Sequence, residues 1–147
     1  MKTIFDKTTR DELISRINTL NENNTAKWGK MNIYQMVKHC RLWEEMILGD
    51  KSYKQSFPGY LFGKMALKSV LNDEKPLRRN TPTLFELRIK DNGDVSSERT
   101  KWTCLIEEYA HFKKSYFVHP FFGKITKEQI GYLAYKHSDH HLRQFNS

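Results

Sequence analysis

The sequence is poor in cysteine and proline and has no long apolar run. Its two cysteines, Cys40 and Cys104, stand far apart and form no Cys-x-x-Cys pair. No thiol-based metal or redox spacing includes them. No apolar run approaches the roughly 20 residues that span a bilayer. The stretch Met1–Asp6 lacks the apolar core of a signal peptide. The expectation is a soluble, cytoplasmic protein with reduced cysteines. Acidic residues are also in the minority: 17 Asp and Glu against 25 Lys and Arg, for a formal net charge of +8. A basic surface attracts anions in general. Its cations are scattered, and the densest stretch, Lys75 to Arg79, is too short to act as a nucleic-acid arm.

What is present is enough for one core. A chain of 147 residues that is 38% hydrophobic and 13% aromatic reads as a single domain, residues 1–147. Threonine at position 8 or 9 followed by Asp11 and Glu12 predicts the start of a first helix, since acids there complement the exposed amides. Leu13, Ile14, Ile17 and Leu20 continue it at helical spacing. Asn32 and Gln35 have capping-box spacing, which predicts a second helix from about 32 to 48, stopped by Gly49 and Asp50. Phe57-Pro58-Gly59 reads as a turn before a shorter helix from about 60 to 71. Phe85, Leu87 and Ile89 alternate with polar residues, so a short extended segment is possible there. A fourth long helix is expected from about 96 to 112. His119-Pro120-Phe121-Phe122-Gly123 reads as a rigid aromatic connection. A last helix runs from Thr126, with Gln129 at capping-box distance, to about Phe145. The pattern predicts an all-α fold: a four-helix bundle with an extra short helix and an irregular middle excursion.

On a helical wheel, Ile130, Leu133 and Ala134 set the inward stripe of the last helix. His137, His141 and Gln144 continue it. Tyr132, Tyr135, Asp139 and Arg143 fall on the other sides. Two inward imidazoles without partners would cost roughly 1–3 kcal/mol each. Histidines four apart have neighbouring side chains and can share one ion, as metal sites on helices do. Core histidines satisfied by carboxylates or carbonyls are the alternative. On the second helix, Ile33, Met36, Val37, Cys40, Trp43 and Ile47 form the stripe, and His39 lies at its edge. His39 becomes a third ligand if the two helices pack together. Three imidazoles would leave a coordination position open, as catalytic sites do.

Other candidates read more plainly. His140 lies near the edge of the inward arc and suits an edge role or a contact to a ligand's partner. His119, before Pro120, reads as a cap or loop residue. Cys40 reads as a small core residue. Gln144 orients a metal-bound water or substrate, or else bonds a helix terminus. Glu44 falls on the inward arc with no assigned role.

Two segments resemble a known family. His137-Ser138-Asp139-His140-His141-Leu142-Arg143-Gln144 is similar to the terminal motif of the DinB-like (DinB/YfiT-like) superfamily of metal-dependent enzymes, in particular an uncharacterised subgroup. Tyr34-Gln35-Met36-Val37-Lys38-His39 resembles that family's first ligand-bearing helix. The resemblance implies a four-helix bundle, often dimeric, with zinc, nickel or iron on His39, His137 and His141. It also implies a small-molecule substrate, with thiol S-transfer or thiol-dependent isomerisation as the chemistry. A metal-dependent hydrolase and a non-catalytic helical binding protein are the competing readings. Here Leu142 separates His141 from Arg143, whereas the family often has arginine directly after the last ligand.

Overall fold

A computed structural model describes residues 1–147. The chain forms five α-helices and one antiparallel hairpin: α1 (Lys7–Asn18), α2 (Ile33–Leu48), α3 (Phe57–Val70), α4 (Val95–Glu108), β1 (Tyr116–His119), β2 (Gly123–Thr126) and α5 (Lys127–Gln144). Single 3-10 turns occupy Phe85–Leu87 and Tyr109–His111. No helix is long and apolar enough to cross a membrane.

The two capping boxes form as the spacing predicts. The Asn32 side chain accepts from the Gln35 amide and the Gln35 side chain accepts from the Asn32 amide, which starts α2. Thr126 and Gln129 do the same for α5. Gly49 ends α2 in the left-handed region, at φ 102°, where its amide reaches the Glu45 carbonyl.

Other boundaries differ from expectation. Helix α1 starts at Lys7, with Asp6 at the cap position and no side-chain capping bond. Thr9 and Arg10 lie buried within it, and the Arg10 guanidinium donates to the carbonyls of Ile4 and Phe5. Helix α3 begins at Phe57, three residues earlier than predicted. Ser56 accepts from the Gly59 amide, and Pro58 sits in the first turn, where its missing N–H costs nothing. In the alternating stretch, Phe85–Leu87 forms a 3-10 turn, Arg88 after it is extended, and no strand forms. The expected aromatic connection is the bend of a hairpin, in which Tyr116 pairs with Thr126 and His119 with Gly123. The fold is therefore mostly helical, in outline agreement with the all-α expectation, and adds a small two-stranded sheet. Four-residue strands are too short for period-2 patterning to stand out.

Helix α2 packs on α4 and α5, and α1 packs on the same two helices. Their apolar stripes share one core that includes Leu13, Ile17, Met36, Trp102, Ile106 and Ile130. Helix α3 lies against the hairpin. A Cβ at Gly63 would stand 2.0 Å from the Phe121 carbonyl oxygen, so only glycine permits that approach. Helix α5 is covered by α1, α2 and both strands, and it is buried on nearly every side in its second half.

Candidate metal centre

The packing of α2 on α5 brings His39 to the His137–His141 pair. All three rings are buried, at 2%, 9% and 7% exposure, so water cannot serve as their general partner. One ligand nitrogen from each lies within 4.8 Å of the other two. His39 Nε2 is 3.1 Å from His137 Nε2.

The outer nitrogens set the tautomers. His39 Nδ1 is 3.0 Å from the Leu87 carbonyl, which can only accept, so Nδ1 carries the proton and Nε2 keeps its lone pair. His141 Nδ1 is 2.9 Å from Gln144 Oε1. Gln144 is itself held by its Nε2–H donating to the Trp28 carbonyl at 2.7 Å, which fixes the amide with oxygen toward the ring. His141 Nε2 is therefore bare as well. His137 is fixed by stacking: Trp43 lies 4.4 Å from its ring centroid at 18°. Its Nδ1 is buried without a partner.

A metal ion fits this donor set. Two rings present Nε2 lone pairs with their protons anchored behind, the arrangement in which outer partners orient metal-bound histidine. The third ring faces one of those lone pairs, and a shared proton or a shared cation resolves that meeting. Burial lowers the pKa of His39, and lowers those of His137 and His141 well below the ordinary value, with neighbouring histidines adding to the effect. The rings are thus neutral near pH 7, as ligands must be.

The remaining candidates are placed as follows. Gln144 orients a histidine through its Oε1 and holds the Trp28 carbonyl through its Nε2–H. Replacing it with leucine should weaken metal binding about 10–100-fold, the usual cost of losing an orienting partner. Glutamate at 144 should restore affinity only in part, because it keeps the acceptor for His141 but loses the N–H that bonds the Trp28 carbonyl. A chelator-competition titration distinguishes the two, and equal affinity in wild type and Gln144→Leu would remove this role. His140 is buried, with its ring 5.1 Å from that of His141 and 5.7 Å from that of Trp28. His119 caps the hairpin bend, its Nδ1 accepting from the amides of Phe121 and Phe122. Burial holds its pKa down to about 4. Cys40 is a core residue, its thiol against the Met36 sulfur.

Sequence reasoning sets Asp139 on an outer face and gives Glu44 an inward place but no partner. Asp139, assigned to an outer face, is buried and accepts from Arg16 at 2.8 Å and Arg143 at 2.7 Å. Glu44 is fully buried and accepts from Tyr109 and Ser138. Its place on the inward arc of α2 was the available signal, and its partners were not legible.

Together, fold and site define a small, mostly helical protein with three buried histidines close enough together that they could hold a metal ion. The chain belongs to the family described as "Protein of unknown function (DUF1569)", which matches residues 3–147. No curated protein and no solved structure matches it.

Proposed function

We propose that His39, His137 and His141 hold a divalent metal (zinc, nickel or iron) and that the chain is a DinB-like metal-dependent enzyme acting with a low-molecular-weight thiol. The observation that carries the metal is the pair of locked tautomers: Leu87 and Gln144 turn two bare Nε2 atoms toward a third imidazole. The mutual packing of α1, α2, α4 and α5 supports reading the helices as the four-helix bundle that the resemblance implies. A metal held on three imidazoles supplies a Lewis acid with an open position, able to keep a thiol ionised near neutral pH. The chain's own residues set orientation and dryness. Leu87 and Gln144 aim the ligands, while Trp43 covers His137 and excludes water from it.

The deep burial of all three rings favours one second reading, a non-catalytic metal that ties α2 to α5. To separate the two, the cobalt-loaded protein is titrated with a panel of thiols while its visible spectrum is followed. The same samples are then assayed for conjugation of thiol to chlorodinitrobenzene, in which a C–S bond replaces C–Cl and chloride leaves. A spectral change and metal-dependent conjugation with at least one thiol are expected. Stoichiometric metal with neither response would remove the transferase and leave the structural metal.

A further inference from the structure

The densest basic stretch of the sequence ends at Arg79 and has no part in the histidine site. The fold brings Arg79 to the loop after α1 and to the end of α5. A groove of about 450 Å³ lies there, lined by Lys27, Trp28, Arg79, His140 and Arg143 among others, with no acidic side chain in its walls. Arg143 is paired with Asp139. Lys27 and Arg79 have no carboxylate partner anywhere in the protein. The Arg79 guanidinium instead lies over the Trp28 ring, 4.2 Å from its centroid, which limits its freedom and leaves its donors unspent. The Trp28 indole N–H is buried and lacks a partner.

The groove is built, not merely exposed. The Lys27 amide donates to the Gln144 carbonyl, and Trp28 receives the Gln144 side chain, so the loop is tied to the end of α5. Lys136 donates to the carbonyls of Val70 and Asp73 and anchors the start of the segment that leads to Arg79. The groove also shares a wall with the histidine cluster. His140 stands between Trp28 and His141, and Gln144 reaches from His141 to the Trp28 carbonyl.

We propose that this groove binds a small anion, the carboxylate or phosphate group of a molecule handled next to the histidine cluster. A free guanidinium held over the Trp28 ring and a free ammonium offer the donors that such a group needs, and the guanidinium fork matches both chemistries. The substrate role rests on the metal reading above, whereas anion binding by the groove does not.

The full chain, with and without one equivalent of zinc, is titrated with inorganic phosphate and with succinate at low ionic strength. Tryptophan fluorescence and calorimetry report binding, and metal content is measured in parallel. Saturable binding of at least one anion is expected. It should weaken at least tenfold in the double variant Lys27→Gln, Arg79→Gln, which changes exposed side chains only and should keep its circular dichroism and metal content. No saturable binding, or equal affinity in the double variant, would overturn the groove while leaving the metal reading intact. Anion binding by a chain that takes up no metal would keep the groove and remove the metal. Anionic vesicles and a short DNA duplex serve as further arms. Arg79-dependent binding to either, with none to the free anions, would overturn the small-molecule assignment.

Discussion

Replacing His137 and His141 together with alanine should abolish stoichiometric metal, lowering affinity by more than the roughly 100-fold that loss of an orienting partner can cost. In the wild type, metal at 1,000 times its dissociation constant should add about 4 kcal/mol of stability. For a domain of this size that is a rise in Tm on the order of 10 °C. The double variant should show no such rise. Elemental analysis of tag-free protein and thermal denaturation with added zinc are the measurements, and stoichiometric metal in the folded variant would sink the site. The same rings set an acid dependence. Burial lowers all three pKa values below the ordinary 6.5. The stability they contribute is in place above that pH and is lost as pH falls, because the unfolded chain takes up protons that the buried rings resist. The metal-free wild type should therefore lose stability below about pH 6.5, and the variant should lose less over the same interval.

Glu44 should act in the opposite sense. Burial raises its carboxyl from 4.5 to about 7, against the pull of its bonds from Tyr109 and Ser138. A raised folded-state value favours the fold while the group is protonated. That stability is fully present below 4.5 and is lost as pH rises to about 7. The span corresponds to roughly 3 kcal/mol. Glu44→Gln keeps an acceptor for the Tyr109 hydroxyl and offers an N–H to Ser138, without a charge to bury. Urea denaturation of both proteins at pH 5 and pH 8 isolates the effect, because the histidine contributions cancel in the comparison. The variant should gain about 2.5 kcal/mol on the wild type between the two pH values, since a part of the span is already lost at pH 5. Parallel pH profiles would show that Glu44 is not held protonated by the core.

These two groups differ in how far the sequence disclosed them. His137 and His141 were legible because one helix carries both, and the helical repeat alone makes them neighbours. Gln144 continues the same stripe, so its proximity to His141 followed, although its partner did not: the Trp28 carbonyl comes from a distant loop. Glu44 was visible as an acid on an inward arc. Its partners, Tyr109 and Ser138, lie on elements whose register against α2 no local pattern encodes. Asp139 was misplaced because a wheel assumes one buried face, whereas α5 packs on both α1 and α2, and Asp139 meets Arg16 of α1.

The sequence by itself determined the starts of α2 and α5, the end of α2, the mostly helical character and the inward histidine pair. Each rests on interactions within a few residues, such as capping boxes, a glycine stop and the spacing of i and i+4. Only the tertiary structure decided that His39 completes the cluster, that Leu87 and Gln144 turn the rings toward one another, and that Arg79 meets Trp28. Those contacts join segments that are distant along the chain, and their geometry is set by how whole helices and loops pack, which side-chain periodicity does not specify.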